Sequence, residues 1–481
     1  MPHYKNFAQC LDQLLKEHRL TASALGAQIG ARSDLRRALS NDLSSARCAS
    51  LCERLCFNGP FSAEECEELR ESLEVSRVGI ERYASRKSID HLLSIQQDEA
   101  HEMCCISGGP LIQRRLASLL DADEVKILCI NCIYSSVIYA LQPFFADHGR
   151  HVSMHHYIQP DIGGLNAAEF VACIAPILFD VRYSPYLLAS WSDTGLYPSV
   201  NGNLLLLSAR FGKRTEEQLY VVSDARSAYE LPNADSVGFF AFYSRIIAEL
   251  PFRPTPLKMF EQTPADYSSL LMSCLSRELN RSTFVYGTDI SFMQVPTDIA
   301  IAAFEDKALF PSEIASSMIK QLPPLHERRF QNLYTKKKPC IMTLSLEGCR
   351  RFLESGKSRD HFAGIRPFRP KERLLTFAIM LKYADTNRYY SPVVLKEHGF
   401  LGKYLTVGYD RLGVALTEYD TNYDLLAGYN YVFLSYPEFT SQYTDYFKTT
   451  VLKERCYSRE ESLRLLHELY HAFAQELSKI E

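Results

Sequence analysis

No uninterrupted apolar run in the 481 residues approaches the ~18 needed to cross a bilayer, so no transmembrane helix is expected. Nor is there an excess of positive charge. The 53 Lys and Arg stand against 57 Asp and Glu, and a net charge of -4 excludes a chain-wide nucleic-acid or membrane surface. Any such surface must be local. The opening stretch MPHYKNFAQCLDQLLKEH lacks a basic cap followed by an apolar run, so no secretory signal is read and a cytoplasmic location is expected. Solenoid-length repeats and low-complexity tracts are also missing.

Cysteine is plentiful, with 14 residues, but its spacing does not describe a disulfide framework or a metal knuckle. Cys48, Cys52 and Cys56 recur every four residues near Cys66, with no C-x-x-C beside them. That spacing predicts one buried helical stripe shared with Leu51 and Leu55. In EVKILCINCIY, Cys129 and Cys132 lie three apart on an expected strand. They point to opposite faces and cannot share a metal or a disulfide.

What is present falls into zones. Residues 1–58 are helical and mildly basic, with eight Lys and Arg against five Asp and Glu. Residues 59–106 read as a helical connector that begins with the acidic FSAEECEELRESLE. From 107 to 323 helix and strand patterns alternate. There EVKILCINCIY, SSVIYALQPFFADHG and RHVSMHHYIQ predict a β-α-β unit with parallel strands, and PFRPTPLK reads as a turn. Residues 324–481 read as a further α+β domain. Its last helix is announced by a capping box, Ser458 with Glu461.

The most informative segment is LTASALGAQIGARSDLRRALSNDLSSARCASLCERL. Thr21 can cap a short helix that buries Leu25 and Ile29, and Gly30 suits its left-handed end. Ser33 can cap a second short helix, with Leu35, Ala38 and Leu39 inward and Arg36 and Arg37 outward. Short helix, glycine turn and second helix is the layout of a helix-turn-helix. The stretch resembles the phage-repressor (Xre/Cro-type) helix-turn-helix family in Thr21, Leu25, Gly26, Ile29, Gly30 and Ala31. It departs from it at Leu35, which stands one residue early and shortens the turn. The resemblance implies binding to double-stranded DNA through Thr21, Arg32, Ser33, Asp34, Arg36 and Arg37, and a homodimer that reads two half-sites. The β-α-β at 110–158 is similar to the phospholipase-D-like halves of TrmB-like sensors. The catalytic H-x-K-x-x-x-x-D of that superfamily is not met by His155 and His156, because no lysine follows two residues on. That pair reads as a strand end meeting solvent.

One motif competes. HELYH, with His467, Glu468 and His471, spells H-E-x-x-H and is similar to the ligand helix of ImmA/IrrE-type metallopeptidases. Such a site needs a third protein ligand, and only AFAQELSKIE follows. The amphipathic stripe Leu463, Leu466, Leu469 or Tyr470, Phe473 and Leu477 accounts for the same helix without metal.

The expectation is therefore a multidomain chain: an all-α N-terminal helix-turn-helix followed by an α/β (α+β) sensor and assembly region. It would act as a dimeric DNA-binding transcriptional regulator answering to a small-molecule or protein effector. No cofactor, metal, membrane partner or catalytic residue is expected, and the chain is not expected to be an enzyme. Zinc peptidase and non-DNA interaction adaptor are the alternatives.

Overall fold

A computed structural model of the chain describes residues 4–94, 108–131, 135–147, 151–158, 166–180, 182–188, 203–222, 228–230, 238–248, 254–261, 276–305, 312–358, 366–397, 404–418 and 431–480. It is a mixed chain of helices and two mixed sheets, and it divides into two units, residues 1–88 and 89–481.

The first unit is helical. α1 (Phe7–Glu17) starts at Asn6, whose side chain accepts from Gln9 N–H while the Gln9 side chain returns to the Asn6 backbone. Its Phe7, Cys10, Leu11, Leu14 and Leu15 follow the three-four spacing of one helical face, and all are buried. α2 (Ala22–Gln28), α3 (Arg32–Leu39) and α4 (Ser45–Asn58) add Leu25, Leu35, Leu51 and Leu55 to that core. α5 (Ala63–Val78) opens with a capping box, Ser62 with Glu65, and sends Leu69 into the same core. The boundary expected after residue 58 therefore moves. The acidic residues of α5 mark only its wet side, while Cys66, Leu69, Ser72 and Val75 form a buried one. α6 (Ile80–Ser94) follows after Gly79, which adopts φ +92°.

The second unit holds the sheets. Helices α7 (Gly108–Ala117), α8 (Ser135–Asp147) and α9 (Ala167–Leu178) accompany β1 (Glu124–Ile130), β2 (Val152–Ile158) and β3 (Tyr183–Leu187). β1 pairs with β2 in parallel, as the β-α-β pattern predicted, and β2 pairs in parallel with β3, a strand the pattern did not announce. β4 (Asn203–Phe211), β5 (Arg214–Val222) and β6 (Ala228–Glu230) continue antiparallel beyond β1. α10 (Phe239–Ala248) follows, and β7 (Thr255–Pro256) closes the β3 edge.

The second sheet begins two residues later. β8 (Lys258–Glu261) and β9 (Thr283–Tyr286) precede α11 (Thr297–Glu305) and α12 (Ser312–Thr335). Then come β10 (Cys340–Leu344), α13 (Leu346–Ser355), α14 (Pro370–Thr386), β11 (Tyr390–Val394), β12 (Tyr404–Tyr409), β13 (Gly413–Glu418) and β14 (Tyr431–Leu434). α15 (Pro437–Tyr446) runs into a π-helix (Phe447–Arg455), and α16 (Arg459–Ile480) follows.

The two sheets repeat one plan. The first runs β3-β2-β1-β4-β5-β6 and the second β11-β10-β9-β12-β13-β14, each with three parallel strands and then an antiparallel meander. β7 and β8 are the extra edge strands, so PFRPTPLK contributes strand residues where a turn was expected. One apolar core takes Ile127, Met154 and Leu205 from the first sheet and Phe284, Val414 and Val432 from the second. The boundary expected between 323 and 324 is thus corrected on two counts: β8 and β9 lie before it yet belong to the second sheet, and both sheets share a core. Most of the helix expected in PADYSSLLMSCLSRELN, and Cys132, lie outside the described residues. Among those described, no helix is long and apolar enough to cross a membrane.

Candidate functional site

The geometry of α2, its turn and α3 rests on three local devices. Thr21 Oγ1 accepts from Ala24 N–H at 3.2 Å, which starts α2 where the sequence indicated. Gly30 holds φ +66°, and around it Ala31 N–H donates to Gly26 O at 2.8 Å while Gly30 N–H donates to Ala27 O at 3.4 Å. That double closure ends a helix through a left-handed residue, which glycine adopts without steric cost. Gly26 supplies the third device. A Cβ there would lie 2.7 Å from Arg32 Cα, so only a residue without one lets the start of α3 approach α2 this closely.

α3 begins two residues earlier than the capping reading implied. Arg32 is its first residue and Ala31, buried and without a side-chain cap, holds the cap position. Ser33 therefore does not cap α3; it is exposed in the first turn. The apolar side of α3 is Leu35 and Ala38, both buried, while Arg32, Arg36 and Arg37 are exposed on its other side. Thr21 is exposed as well, and Asp34 is half-buried.

These residues are not equivalent. Arg37 is engaged: its Nε donates to Asp42 Oδ2 at 3.2 Å and its Nη2 to Asp42 O at 2.9 Å, tying the end of α3 to the loop before α4. Asp34 lies 4.0 Å from the Arg47 guanidinium on α4, so its negative charge is partly offset. Among the described residues, the Arg32 and Arg36 side chains have no hydrogen-bond or ion-pair partner. Arg36 and Arg32 are thus the cations that α3 leaves available. Sequence reasoning grouped Arg36 with Arg37, and only the Asp42 contact separates them.

The histidine pair of β2 splits by strand alternation. His155 is exposed, and its ring stacks with Tyr157 and Tyr186. His156 does not meet solvent as expected; it is fully buried, with Nδ1 3.0 Å from the Tyr183 hydroxyl. Burial pushes its pKa down to about 3, which keeps the ring neutral.

HELYH lies on α16, and the expected capping box is formed, with Glu461 N–H donating to Ser458 Oγ at 3.2 Å. The stripe forms over most of its length: Leu466 is buried, and Leu463, Leu469, Tyr470 and Phe473 pack against the same core, which Leu477 does not join. Glu468, the would-be general base, accepts from Arg464 at 2.7 Å. His467 Nε2 lies 3.2 Å from Asp385. Among the described residues no group of three His, Cys, Asp or Glu side chains could hold a metal ion, so the third ligand a zinc site requires is missing there.

Cys52 and Cys66 are buried, but Cys48 and Cys56 only half-buried, so the stripe expected on α4 is fully buried at Leu51, Cys52 and Leu55 alone; all four cysteines are free thiols. Burial raises each thiol pKa, that of Cys66 to about 11, so these groups stay protonated at neutral pH.

No family model matches the chain, and no curated protein does. Among solved structures it matches a polyphosphate kinase from Porphyromonas gingivalis at 11% identity with a TM-score of 0.22. The match covers 76% of this chain, which spans about half (54%) of that kinase chain. That protein is an enzyme, and the expectation that this chain is not one is withdrawn. At this TM-score the likeness carries neither a fold nor a reaction across.

Proposed function

We propose that the first unit is a helix-turn-helix module and that the chain is a DNA-binding transcriptional regulator acting as a homodimer. One observation carries the reading: α3 packs by Leu35 and Ala38 and presents Arg32 and Arg36, unpaired among the described residues, from a helix seated tightly on α2 at Gly26. A short exposed cationic helix whose orientation is fixed by a glycine contact suits the major groove of a duplex. Arginine there makes bidentate contacts with guanine or neutralises phosphate. Ser33 and the backbone amides at the start of α3 can hold a phosphate oxygen, and Thr21 can hold another from the start of α2. Asp34, beside Arg47, would select among bases rather than add affinity. Arg37 acts through Asp42, shaping the loop that follows the helix.

A single module of this size binds weakly, so two copies would read half-sites about 34 Å apart. The two-sheet unit would receive an effector and alter the relative preference of the dimer for its DNA-competent arrangement. The test is titration of labelled duplex DNA with the wild-type chain and with Arg32→Ala plus Arg36→Ala. Binding that the double variant loses while keeping its unfolding transition supports the reading. Equal retention of both proteins at low salt removes it.

A further inference from the structure

α6 is one helix, yet the division between the units falls within it, after residue 88. Its last turns belong to the second unit, where Ile89, Leu92 and Leu93 are sunk in the core that both sheets share. Asp90 sits among them and is held by polar contacts. Its Oδ1 accepts from Arg455 Nη2 at 2.7 Å and from the Tyr446 hydroxyl at 2.6 Å. The same guanidinium donates through Nη1 to Tyr446 at 2.9 Å and to the Tyr286 hydroxyl at 3.1 Å. Tyr286 ends β9, Tyr446 ends α15 and Arg455 ends the π-helix. One cation therefore joins α6 to three other elements. The pair is largely shielded, with 16% and 26% of the Arg455 and Asp90 side chains exposed, so removing either partner leaves the other poorly compensated.

The element that carries Arg455 is unusual. Phe447–Arg455 is π-helical for nine residues, where single-turn π-bulges are the common form and often mark functional sites. Its far end is fixed on the sheet: Lys396 N–H donates to Arg455 O at 2.8 Å, and Cys456 bridges Leu395 just beyond β11. The same nine residues could also wind as an ordinary α-helix. With Arg455 held at that end, each preceding side chain would then turn further about the axis, and the Tyr446 hydroxyl would leave Asp90 and the guanidinium.

We propose that Arg455 is a switch joint. With the π-helix intact it locks the end of α6 through Asp90, and rewinding of the segment, by drawing the Tyr446 hydroxyl away, loosens α6. The regulatory consequence rests on the DNA-binding reading; the joint itself does not, and it is tested without DNA. Backbone amide exchange would be followed in the full chain for wild type, Asp90→Asn, Arg455→Met and the double variant. Each single variant should speed exchange across residues 89–94 by about tenfold while β9 and β10 stay protected. The double variant should match the singles rather than compound them. Unchanged exchange in α6, or additive effects, overturns the joint. Should Arg455→Met fail to fold, Tyr446→Phe removes one hydroxyl and should raise exchange about threefold; no rise there overturns the joint equally.

DNA affinity of the same variants separates the two claims. Loosened α6 with affinity changed at least threefold supports regulation through the joint, and loosened α6 with unchanged affinity overturns that regulation. If the wild type does not bind DNA, the functional reading fails while the exchange experiment still decides the joint.

Discussion

Arg36→Ala tests the DNA-facing reading with the least collateral damage. The side chain is exposed and, among the described residues, unpartnered, so its removal should change folding stability by no more than about 0.5 kcal/mol. Alanine also has a slightly better helix propensity than arginine. On a duplex two outcomes can be told apart. As a phosphate contact, Arg36 neutralises one charge per protomer, and its loss should flatten the plot of log affinity against log salt by ~0.9 per protomer, or ~1.8 for a dimer. As a guanine contact it should cost ~1–3 kcal/mol, a ~5- to ~150-fold loss on the preferred sequence, with relaxed discrimination at one base position. Fluorescence anisotropy of a labelled duplex between ~50 and ~200 mM salt reads both quantities. Urea unfolding of the same samples checks the fold. Wild-type affinity and wild-type salt slope in the variant would refute the argument that α3 uses this cation, and so would a loss of stability above ~2 kcal/mol, because the residue would then be structural.

Arg37→Ala should behave differently, lowering stability by ~1 kcal/mol through loss of the Asp42 bonds and weakening DNA binding mainly by loosening the loop before α4. Asp42→Ala, which removes the carboxylate but keeps the backbone carbonyl, should lose only part of that stability, which urea titration would register. Gly26→Ala places a methyl 2.7 Å from Arg32 Cα, and should destabilise the first unit by ~1–3 kcal/mol in the same assay. His156 gives a pH dependence whose sign follows from its pKa, lowered to about 3 when folded against ~6.5 when unfolded. The unfolded chain binds the proton first, so the contribution is complete above ~6.5 and falls by ~1.4 kcal/mol per unit as pH drops toward 3. His156→Phe should remove that slope when stability is compared at about pH 7 and about pH 5. His467→Ala, which breaks a half-exposed contact to Asp385, should alter stability by less than ~1 kcal/mol. Elemental analysis should find no zinc that the wild type holds and this variant lacks.

Elements with strong local grammar were legible before any tertiary information. Thr21, Gly30, Ser458 and Glu461 bracket their helices as read, and β1 and β2 form where EVKILCINCIY and RHVSMHHYIQ indicated. Leu466 and its neighbours form the packing side of α16, and Glu468 and His471 of HELYH lie exposed beside it. The candidate site was half legible. Leu35 and Ala38 inward with Arg36 and Arg37 outward is a matter of helical period, so the sequence contains it. That Ala31 rather than Ser33 holds the cap of α3, and that Arg37 is spoken for while Arg36 is not, depends on where the loop bearing Asp42 returns.

The amino-acid order by itself determined which stretches wind, which extend and which face of each is apolar, because those properties are set by neighbours one to four residues away. It carried the cationic side of α3, the parallel β-α-β start and the free thiols of α4. Only the tertiary structure decided that α5 completes the first core, that β7 and β8 join different sheets, and that His156 is dry while His155 is wet. It alone brought Arg455 to Asp90 across 365 positions of chain. The physical reason is common to all four. Burial and pairing are won by contact in space between segments whose separation along the chain leaves no local trace, and the choice among partners is settled only when the whole core closes.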